Sequence, residues 1–317
     1  MPAVFLTIDT EFAWRHHVAG CDVDGLYDRS IEPAGVGLRY QLDLLARAGL
    51  KACFFVDPMP AIAFGIAPIR RMVGDILAAG QEVQLHLHAN WRGAVPGDRG
   101  AAHARFELWD YEAAEQHDLL AQATALLVEA GAPAPVAFRA GSYAADDRTL
   151  AALADLGFVY DSSHNGAEAP RWSRIDLPSA QIAPVAHRGL VEVPVTVIED
   201  RPGRLRTFQL CALSHRETAA ALDHAVRQGH AAVTIVSHGF ELATRAGTRV
   251  NRIHRRRFEA LCAMLADRRD ALPTMHFADR PALALDQDDR PLRASAWRRR
   301  ARQAEQLWSN WVEERAA

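Results

Sequence analysis

The chain has 317 residues, of which 49% are hydrophobic and 24% are charged, a composition typical of a folded globular protein and not of a disordered or fibrous one. Its formal net charge of -3 gives no reason to expect a nucleic acid as its partner. No stretch approaches the ~20 apolar residues of a membrane span, and the N-terminus lacks the basic start of a signal peptide. The four cysteines are far apart and form no CxxC pair, which argues against a disulfide framework. We therefore expect a cytoplasmic protein.

Short apolar runs alternate with longer helical patterns along most of the chain. The predicted strands cover residues 4–8, 52–56, 82–88, 136–138, 159–160, 191–195, 232–237 and 274–277. The predicted helices cover residues 35–48, 67–79, 111–130, 146–156, 215–228 and 252–270. Several are followed by a glycine that suits a helix C-cap, namely Gly49, Gly80, Gly131, Gly157 and Gly229. This alternation predicts an α/β fold with a parallel sheet, closed or nearly closed into a barrel.

Two long loops follow predicted strands, at residues 89–111 and 162–190. Because sites in this architecture lie where strands end, we expect both loops on the functional rim of the barrel. Their tryptophans either stack on a ligand or pack the loops onto the barrel; these are Trp91, Trp109 and Trp172.

The chain changes character beyond about residue 286. We divide it into a barrel over residues 1–285 and a helical tail over 286–317, with a basic start and a later Trp/Leu stripe. We expect the tail to pack this stripe on its own barrel. Contact with an anionic membrane or with a glycosyltransferase partner is the alternative.

The first candidate site residues are two carboxylates at the end of the first predicted strand. Asp9 and Glu11 are two residues apart, so strand geometry points both side chains the same way. Two carboxylates on one face are costly unless water, a cation or a proton stabilises them. They form either an exposed turn or part of a site.

Two histidines on the third predicted strand show the same spacing. Alternation places Val83, Leu85 and Leu87 on one face and Gln84, His86 and His88 on the other. Imidazoles one pleat apart can reach a common metal ion, and imidazole is a favoured ligand for zinc and its neighbours. The pair therefore predicts a metal site.

Three further residues follow predicted strands. Arg139 precedes a Gly-Ser turn, and its planar guanidinium suits holding a carboxylate ionised at the rim. Asp161 closes a short apolar run, and His238 ends a buried-looking strand, where it can give or take a proton near neutral pH. Each of the three could equally be structural when taken alone.

In this order, the segments resemble the motifs of the polysaccharide deacetylase family, also called the NodB-homology domain or carbohydrate esterase family 4. Residues 7–11 (TIDTE) look like its first motif, and residues 51–56 (KACFFV) are close to its second-strand signature. Its later motifs are matched by His86, Arg139 with Gly141, Asp161, and Ser237 with His238. The resemblance spans roughly residues 3–280.

The resemblance implies a distorted (β/α) barrel of about seven strands that binds one divalent cation, usually zinc. It also implies that Asp9 is the catalytic base, that Arg139 orients it, and that His238 is the acid that protonates the leaving amine. Asp161 would tune His238. The implied activity is hydrolysis of an N-acyl group, usually acetyl, from an amino sugar of cell-surface polysaccharide or glycolipid.

The sequence departs from the family pattern at two positions. Thr10 stands where a second aspartate is usual, so Glu11 becomes the expected metal ligand. The usual second histidine would be residue 90, which is asparagine here, so we expect His88 to complete the metal site with Glu11 and His86, and Asn90 is the alternative.

Two other functions fit the same sequence. An allantoinase-like amidohydrolase would use this fold on a C–N bond outside sugars. An inert carbohydrate-binding or scaffold protein would keep the barrel without the reaction, but it would have no physical need for a base, an acid, an arginine and metal ligands together.

Overall fold

The computed structural model describes residues 1–97, 105–309 and 311. Part of the predicted loop, residues 98–104, and the end of the predicted tail, residues 310 and 312–317, lie outside these described residues.

A curled, mostly parallel sheet of eight strands forms the centre of the molecule, in the order β10-β1-β2-β3-β4-β5-β7-β6. A separate two-stranded hairpin pairs β8 with β9. The strands are β1 (Ala3–Thr10), β2 (Cys53–Val56), β3 (Glu82–Leu87), β4 (Ala137–Ala140), β5 (Tyr160–Asp161), β6 (Val185–His187), β7 (Leu190–Glu192), β8 (Val197–Arg201), β9 (Arg204–Thr207) and β10 (Ala232–His238). Among the described strands of the large sheet, only β6 runs antiparallel to its neighbour.

The segment after β7 connects strands near the two ends of the sheet. Val193 donates its N–H to the carbonyl of Asp161 on β5, and Thr196 donates to the carbonyl of Thr234 on β10. One short stretch of chain therefore hydrogen-bonds to strands near both ends of the sheet order, and the sheet is a nearly closed barrel, as the sequence predicts.

Ten α-helices among the described residues surround this sheet or extend from it. They are α1 (Trp14–Val18), α2 (Val23–Ser30), α3 (Leu38–Ala48), α4 (Ala61–Phe64), α5 (Ala67–Ala78), α6 (Ala113–Glu129), α7 (Asp147–Asp155), α8 (His215–Gln228), α9 (Arg252–Asp267) and α10 (Ala296–Trp308). α3 and α8 end at Gly49 and Gly229, whose left-handed backbone suits a residue without a Cβ. In the part of the chain that the structure describes, no helix is long and apolar enough to cross a membrane.

The two faces of β1 serve different layers of the molecule. Val4, Leu6 and Ile8 pack outward in the large core shared with the helices. Phe5 points inward and stacks on Phe277, with ring centroids 4.3 Å apart, and this pair fills the bottom of the barrel. Positions further along the inner face are polar, so the barrel changes from an apolar base to a polar mouth.

Three features differ from the sequence predictions. The prediction of a strand at residues 274–277 is wrong. Among these residues only Thr274 forms a β-bridge, and its partner is Val4. Three short helices, α1, α2 and α4, were too short for a helical period to be recognised. The hairpin of β8 and β9, joined at Pro202 and Gly203, is rich in arginine and lacks a clear alternation.

Candidate active site

Neighbouring strands bring the predicted site residues to the carboxyl end of the barrel. Asp9 on β1 lies opposite His238 on β10, and His86 on β3 lies opposite Arg139 on β4. Because β10, β1, β2, β3 and β4 are adjacent in this order and parallel, residues distant in sequence share one mouth.

A compact cluster of two imidazoles and one carboxylate lies at this mouth. One ligand atom each from Glu11, His86 and His88 lies within 4.8 Å of the others. Nε2 of His86 is 3.1 Å from Oε2 of Glu11, and Nε2 of His88 contacts the same oxygen. The three residues predicted as metal ligands are therefore close enough to bind one ion.

The hydrogen bonds of His86 test whether a cation fits. Its Nδ1 lies 2.7 Å from the carbonyl oxygen of Arg139, which can only accept, so Nδ1 carries the proton. In the neutral ring, Nε2 then presents a lone pair to the Glu11 carboxylate, and two acceptors cannot hydrogen-bond each other. A proton or a cation must lie between them.

The donor set suits a divalent metal ion. Two histidines and a glutamate form one of the ligand sets of catalytic zinc sites, and the second-shell bond from His86 Nδ1 to a carbonyl fixes the ring. Without an ion, a proton would have to take its place beside the Glu11 carboxylate. Burial disfavours the His88 imidazolium, but Glu11 outweighs burial and raises the pKa of His88 to about 9, so this ring could carry such a proton.

Gly141 makes room for His88. A Cβ added at Gly141 would lie 2.4 Å from Nδ1 of His88, closer than van der Waals contact allows. The glycine of the arginine segment thus supports the metal-ligand cluster sterically.

Asn90, the alternative ligand, lines a neighbouring cavity of about 420 Å³, and its Oδ1 is buried without a partner among the described residues.

Arg139 lies at the carboxyl end of β4, as predicted, and its side chain is fully buried there. Its Nη1 donates to Oδ1 of Asp9 at 2.8 Å and to Oγ1 of Thr7 at 2.7 Å, and its Nε and Nη2 bond to Ser162. Its guanidinium also lies 4.5 Å from the ring centroid of Phe55. These contacts hold one oxygen of Asp9 fixed and leave Oδ2 facing the mouth.

His238 lies between two carboxylates. Its Nε2 is 3.7 Å from Oδ2 of Asp9, and its Nδ1 is 2.9 Å from Oε1 of Glu241. Burial disfavours the imidazolium, but Glu241 and Asp9 outweigh it and raise the pKa of His238 to about 9. The ring is therefore protonated at neutral pH and can donate a proton.

Asp161 does not play the part predicted for it. Its carboxylate accepts hydrogen bonds from the backbone N–H and the hydroxyl of Ser163, at 2.9 and 2.8 Å. It lies opposite Glu192 in the pairing of β5 with β7, and burial together with Asp161 raises the pKa of Glu192 well above its ordinary value. Asp161 thus belongs to a buried carboxyl pair, while Glu241 occupies the position beside His238.

Several residues near the site were missed in the sequence analysis. Glu241 follows His238 by three residues, a spacing that could have suggested a pair. Asp57 directly follows β2; it is fully buried, and burial raises its pKa to about 6 although His88 opposes this. Glu107 is buried near His88, and burial raises its pKa; no local signal marked it.

Tyr143 also senses the charges of Asp9 and Arg139. Ser142 and Tyr143 both have positive φ, at 55° and 59°, a strained conformation that in non-glycine residues clusters at functional sites. Burial and the Asp9 carboxylate raise the pKa of the Tyr143 phenol above its ordinary value. Its hydroxyl is buried without a partner among the described side and main chains, so it is a neutral donor left unused.

The loop tryptophans serve mainly to pack the loops. Trp91 is only 1% exposed and packs edge-on against Trp14, with centroids 4.9 Å apart, so it offers no face to a sugar. Trp109 donates its Nε1–H to the carbonyl of Trp172 and stacks under Arg174.

Comparison with known proteins finds similar structures but no match by sequence. No protein-family model matches the chain, and no curated protein matches it. A protein from Mycobacterium smegmatis that has been assigned as a polysaccharide deacetylase is similar in structure, with 17% identity, a TM-score of 0.58, and coverage of 91% of this chain and 94% of that one. The chain therefore has the NodB-like barrel fold of the polysaccharide deacetylases, as the sequence resemblance implies.

Two other solved structures are similar. A family 4 carbohydrate esterase from Streptomyces lividans, in complex with acetate, is 14% identical with a TM-score of 0.46, and the match covers 90% of this chain and 98% of that one. A 4-alpha-glucanotransferase from Thermococcus litoralis is 9% identical with a TM-score of 0.51, and the match covers 88% of this chain but only 40% of that one. Since proteins named for different reactions share this barrel, the function has to be argued from the site.

Proposed function

We propose that this protein is a metal-dependent deacetylase of the polysaccharide deacetylase family that hydrolyses an N-acyl group, most simply acetyl, from an amino sugar. One observation carries the proposal. The cluster of Glu11, His86 and His88 lies at the same barrel mouth as the pair of Asp9 and His238. A hydrolase for amides needs an electrophilic centre, a base and an acid within reach of one carbonyl, and this mouth offers groups suited to each.

Glu11, His86 and His88 would hold the cation, which we propose to be zinc because the donor set is nitrogen-rich and matches known catalytic zinc sites. When bound, such an ion polarises a carbonyl and lowers the pKa of water. The three side chains leave room for further ligands, as a catalytic site requires.

Asp9 is the proposed base. Arg139 holds its Oδ1, so Oδ2 is free to take the proton from the attacking water. The buried guanidinium is an ion-pair partner for this buried carboxylate at 2.8 Å. Arg139 would act as a positioning residue that aims the base.

His238 is the proposed acid. Glu241 keeps the imidazole protonated and holds its Nδ1, so Nε2 carries the proton that faces the mouth. This proton would pass to the sugar nitrogen as the C–N bond breaks, which releases acetate and a free amine. The phenol of Tyr143, which is buried without a partner among the described residues, would donate to the oxygen that becomes negative.

Acetate release from N-acetylated amino sugars and their oligomers tests the proposal, with and without a chelator and after zinc is restored. We expect release that the chelator abolishes and zinc restores, and none from a His86→Ala variant. Hydrolysis of allantoin-like amides without acetate release from any sugar would favour the amidohydrolase instead. Bound metal without hydrolysis of either class would favour the inert scaffold.

A further inference from the structure

Helix α10 rests on the barrel through its polar side. Arg302 is 3% exposed, and its guanidinium bonds to Asp200 of β8 and to Glu217 of α8, the latter at 3.1 Å. One turn further, Glu305 pairs with Arg257 of α9 at 2.9 Å. The buried pairs of Arg302, together with this half-exposed pair of Glu305, fix which side of the helix faces the protein.

The opposite side of α10 carries large apolar residues in the open: Trp297 is 69% exposed, Leu307 71% and Trp308 60%. On a helix with 3.6 residues per turn, these three positions lie on one side, away from Arg302. Trp311, which follows the end of α10, is 66% exposed. We call these four residues the tryptophan face. The sequence-based expectation that the stripe packs on the barrel is therefore wrong.

This arrangement reverses the usual order of a surface helix, which buries its apolar stripe and exposes its charges. Exposing several large apolar side chains together is unfavourable in water and marks an interaction surface. Because the buried ion pairs of Arg302 hold α10 in place, the helix cannot rotate about its axis to bury its tryptophans without breaking those pairs.

Positive charge surrounds the tryptophan face. The guanidinium of Arg216 lies 5.8 Å from the ring centroid of Trp297, and Arg300 lies on the exposed side of the helix. Arg256 lines an apolar cavity of about 480 Å³ between α9 and α10, next to Trp308. In the described ranges, Arg216, Arg256 and Arg300 form no ion pair with a carboxylate, so their charge remains available.

We propose that the tryptophan face docks on an anionic membrane surface. Tryptophan prefers the interface between water and hydrocarbon, because its ring is mostly apolar and its N–H stays hydrated. The arginines beside it would contact lipid phosphates, each contributing favourably near an anionic surface. Charge complementarity therefore selects an anionic lipid surface over a neutral one. The proposal does not depend on the proposed reaction.

Co-sedimentation of the full-length protein with vesicles tests the docking. We expect binding to vesicles of phosphatidylcholine mixed with phosphatidylglycerol, and roughly hundredfold weaker binding to phosphatidylcholine alone, because three arginines each contribute roughly a factor of five. High salt should weaken the binding to the anionic vesicles. Co-sedimentation measures vesicle binding alone, so its outcome does not depend on whether the protein hydrolyses a sugar.

A double variant, Trp297→Ala with Trp308→Ala, identifies the surface. Both rings are exposed, so we expect an unchanged melting temperature and loss of most vesicle binding. Val128→Ser, at an exposed apolar position on α6, is the matched control and should bind like the parent. Binding that survives the double variant, or no binding to either kind of vesicle, overturns the proposal.

Self-association is the competing outcome. If sedimentation velocity shows a dimer that the double variant abolishes, and the vesicles bind nothing, the tryptophan face joins two copies of the chain and the membrane proposal is wrong. A monomer that binds anionic vesicles through these tryptophans supports it.

Discussion

Nδ1 of His238 lies 2.9 Å from the carboxylate of Glu241, three residues further along the chain. The same carboxylate oxygen accepts from Nε2 of Gln209 and, at 3.3 Å, from the thiol of Cys211. Glu241 is thus held by its own neighbours, and it holds the histidine ring so that Nε2 faces Asp9. The electrostatics of the proposed acid depend on this pair.

Glu241→Gln should move the alkaline limit of activity to lower pH. His238 donates only as imidazolium, and the carboxylates around it raise its pKa to about 9, so activity falls as the pH rises through about 9. Glutamine keeps an acceptor but removes the negative charge, so the pKa of His238 falls. The pH profile of kcat/KM measures this shift. Glu129→Gln, at an exposed position, should leave the profile unchanged, and an unmoved alkaline limb in Glu241→Gln would remove His238 as the acid.

Gly141→Ala should weaken metal binding, although Gly141 is not itself a proposed ligand. The new methyl would overlap the ring of His88, so the ring must move away from Glu11. We expect metal affinity to fall roughly 10–100-fold, as when outer-shell partners of a metal site are lost. Metal analysis after dialysis measures it. Gly74→Ala is the control, since a Cβ there meets nothing within 4 Å; equal metal content in both variants would contradict the steric role of Gly141.

His86→Ala should lower both metal content and activity. It removes a ligand and the bond that fixes the ring to the Arg139 carbonyl, so we expect a loss of affinity larger than for Gly141→Ala. Elemental analysis and acetate release measure the two effects together. A purified variant with full metal and full activity would exclude His86 from the site.

Asp9→Asn and His238→Ala should separate chemistry from metal binding. Neither residue belongs to the metal-ligand cluster, so bound metal should remain, whereas turnover should fall ~10²–10⁴-fold because a proton-transfer group is lost. Metal content and kcat, measured on the same preparations, test this. If Asp9→Asn loses its metal, Asp9 would be a ligand and not the base.

Tyr143→Phe should lower kcat while leaving stability unchanged or slightly higher. The hydroxyl is buried without a partner in the described structure, so its removal breaks no protein hydrogen bond. We expect a loss of kcat of roughly 10²–10³-fold if the phenol donates to the substrate in the transition state. Thermal unfolding and steady-state kinetics measure both; unchanged kcat would assign Tyr143 to packing alone.

Much of the site could be predicted from local pattern. Alternation correctly placed Asp9 of β1 and His86 of β3 on the inward face, because the pleat fixes side-chain direction within a strand. Glu11 and His88 each come one residue after these strands end, and Glu11, His86 and His88 still lie together. The strand-helix order likewise predicted the barrel. Short helices and the arginine-rich hairpin of β8 and β9 gave no such periodic signal, so they appeared only in the structure.

The sequence by itself determined which residues face the barrel mouth, since that follows from neighbours in the chain. Only the tertiary structure decided which of them meet: Asp161 pairs with Glu192 and Glu241 contacts His238, because strand order and loop paths set these partners. It also decided that α10 buries Arg302 and exposes its tryptophans. Asp200 and Glu217 lie far back in the chain, and the energy of a buried ion pair depends on where such distant partners end up.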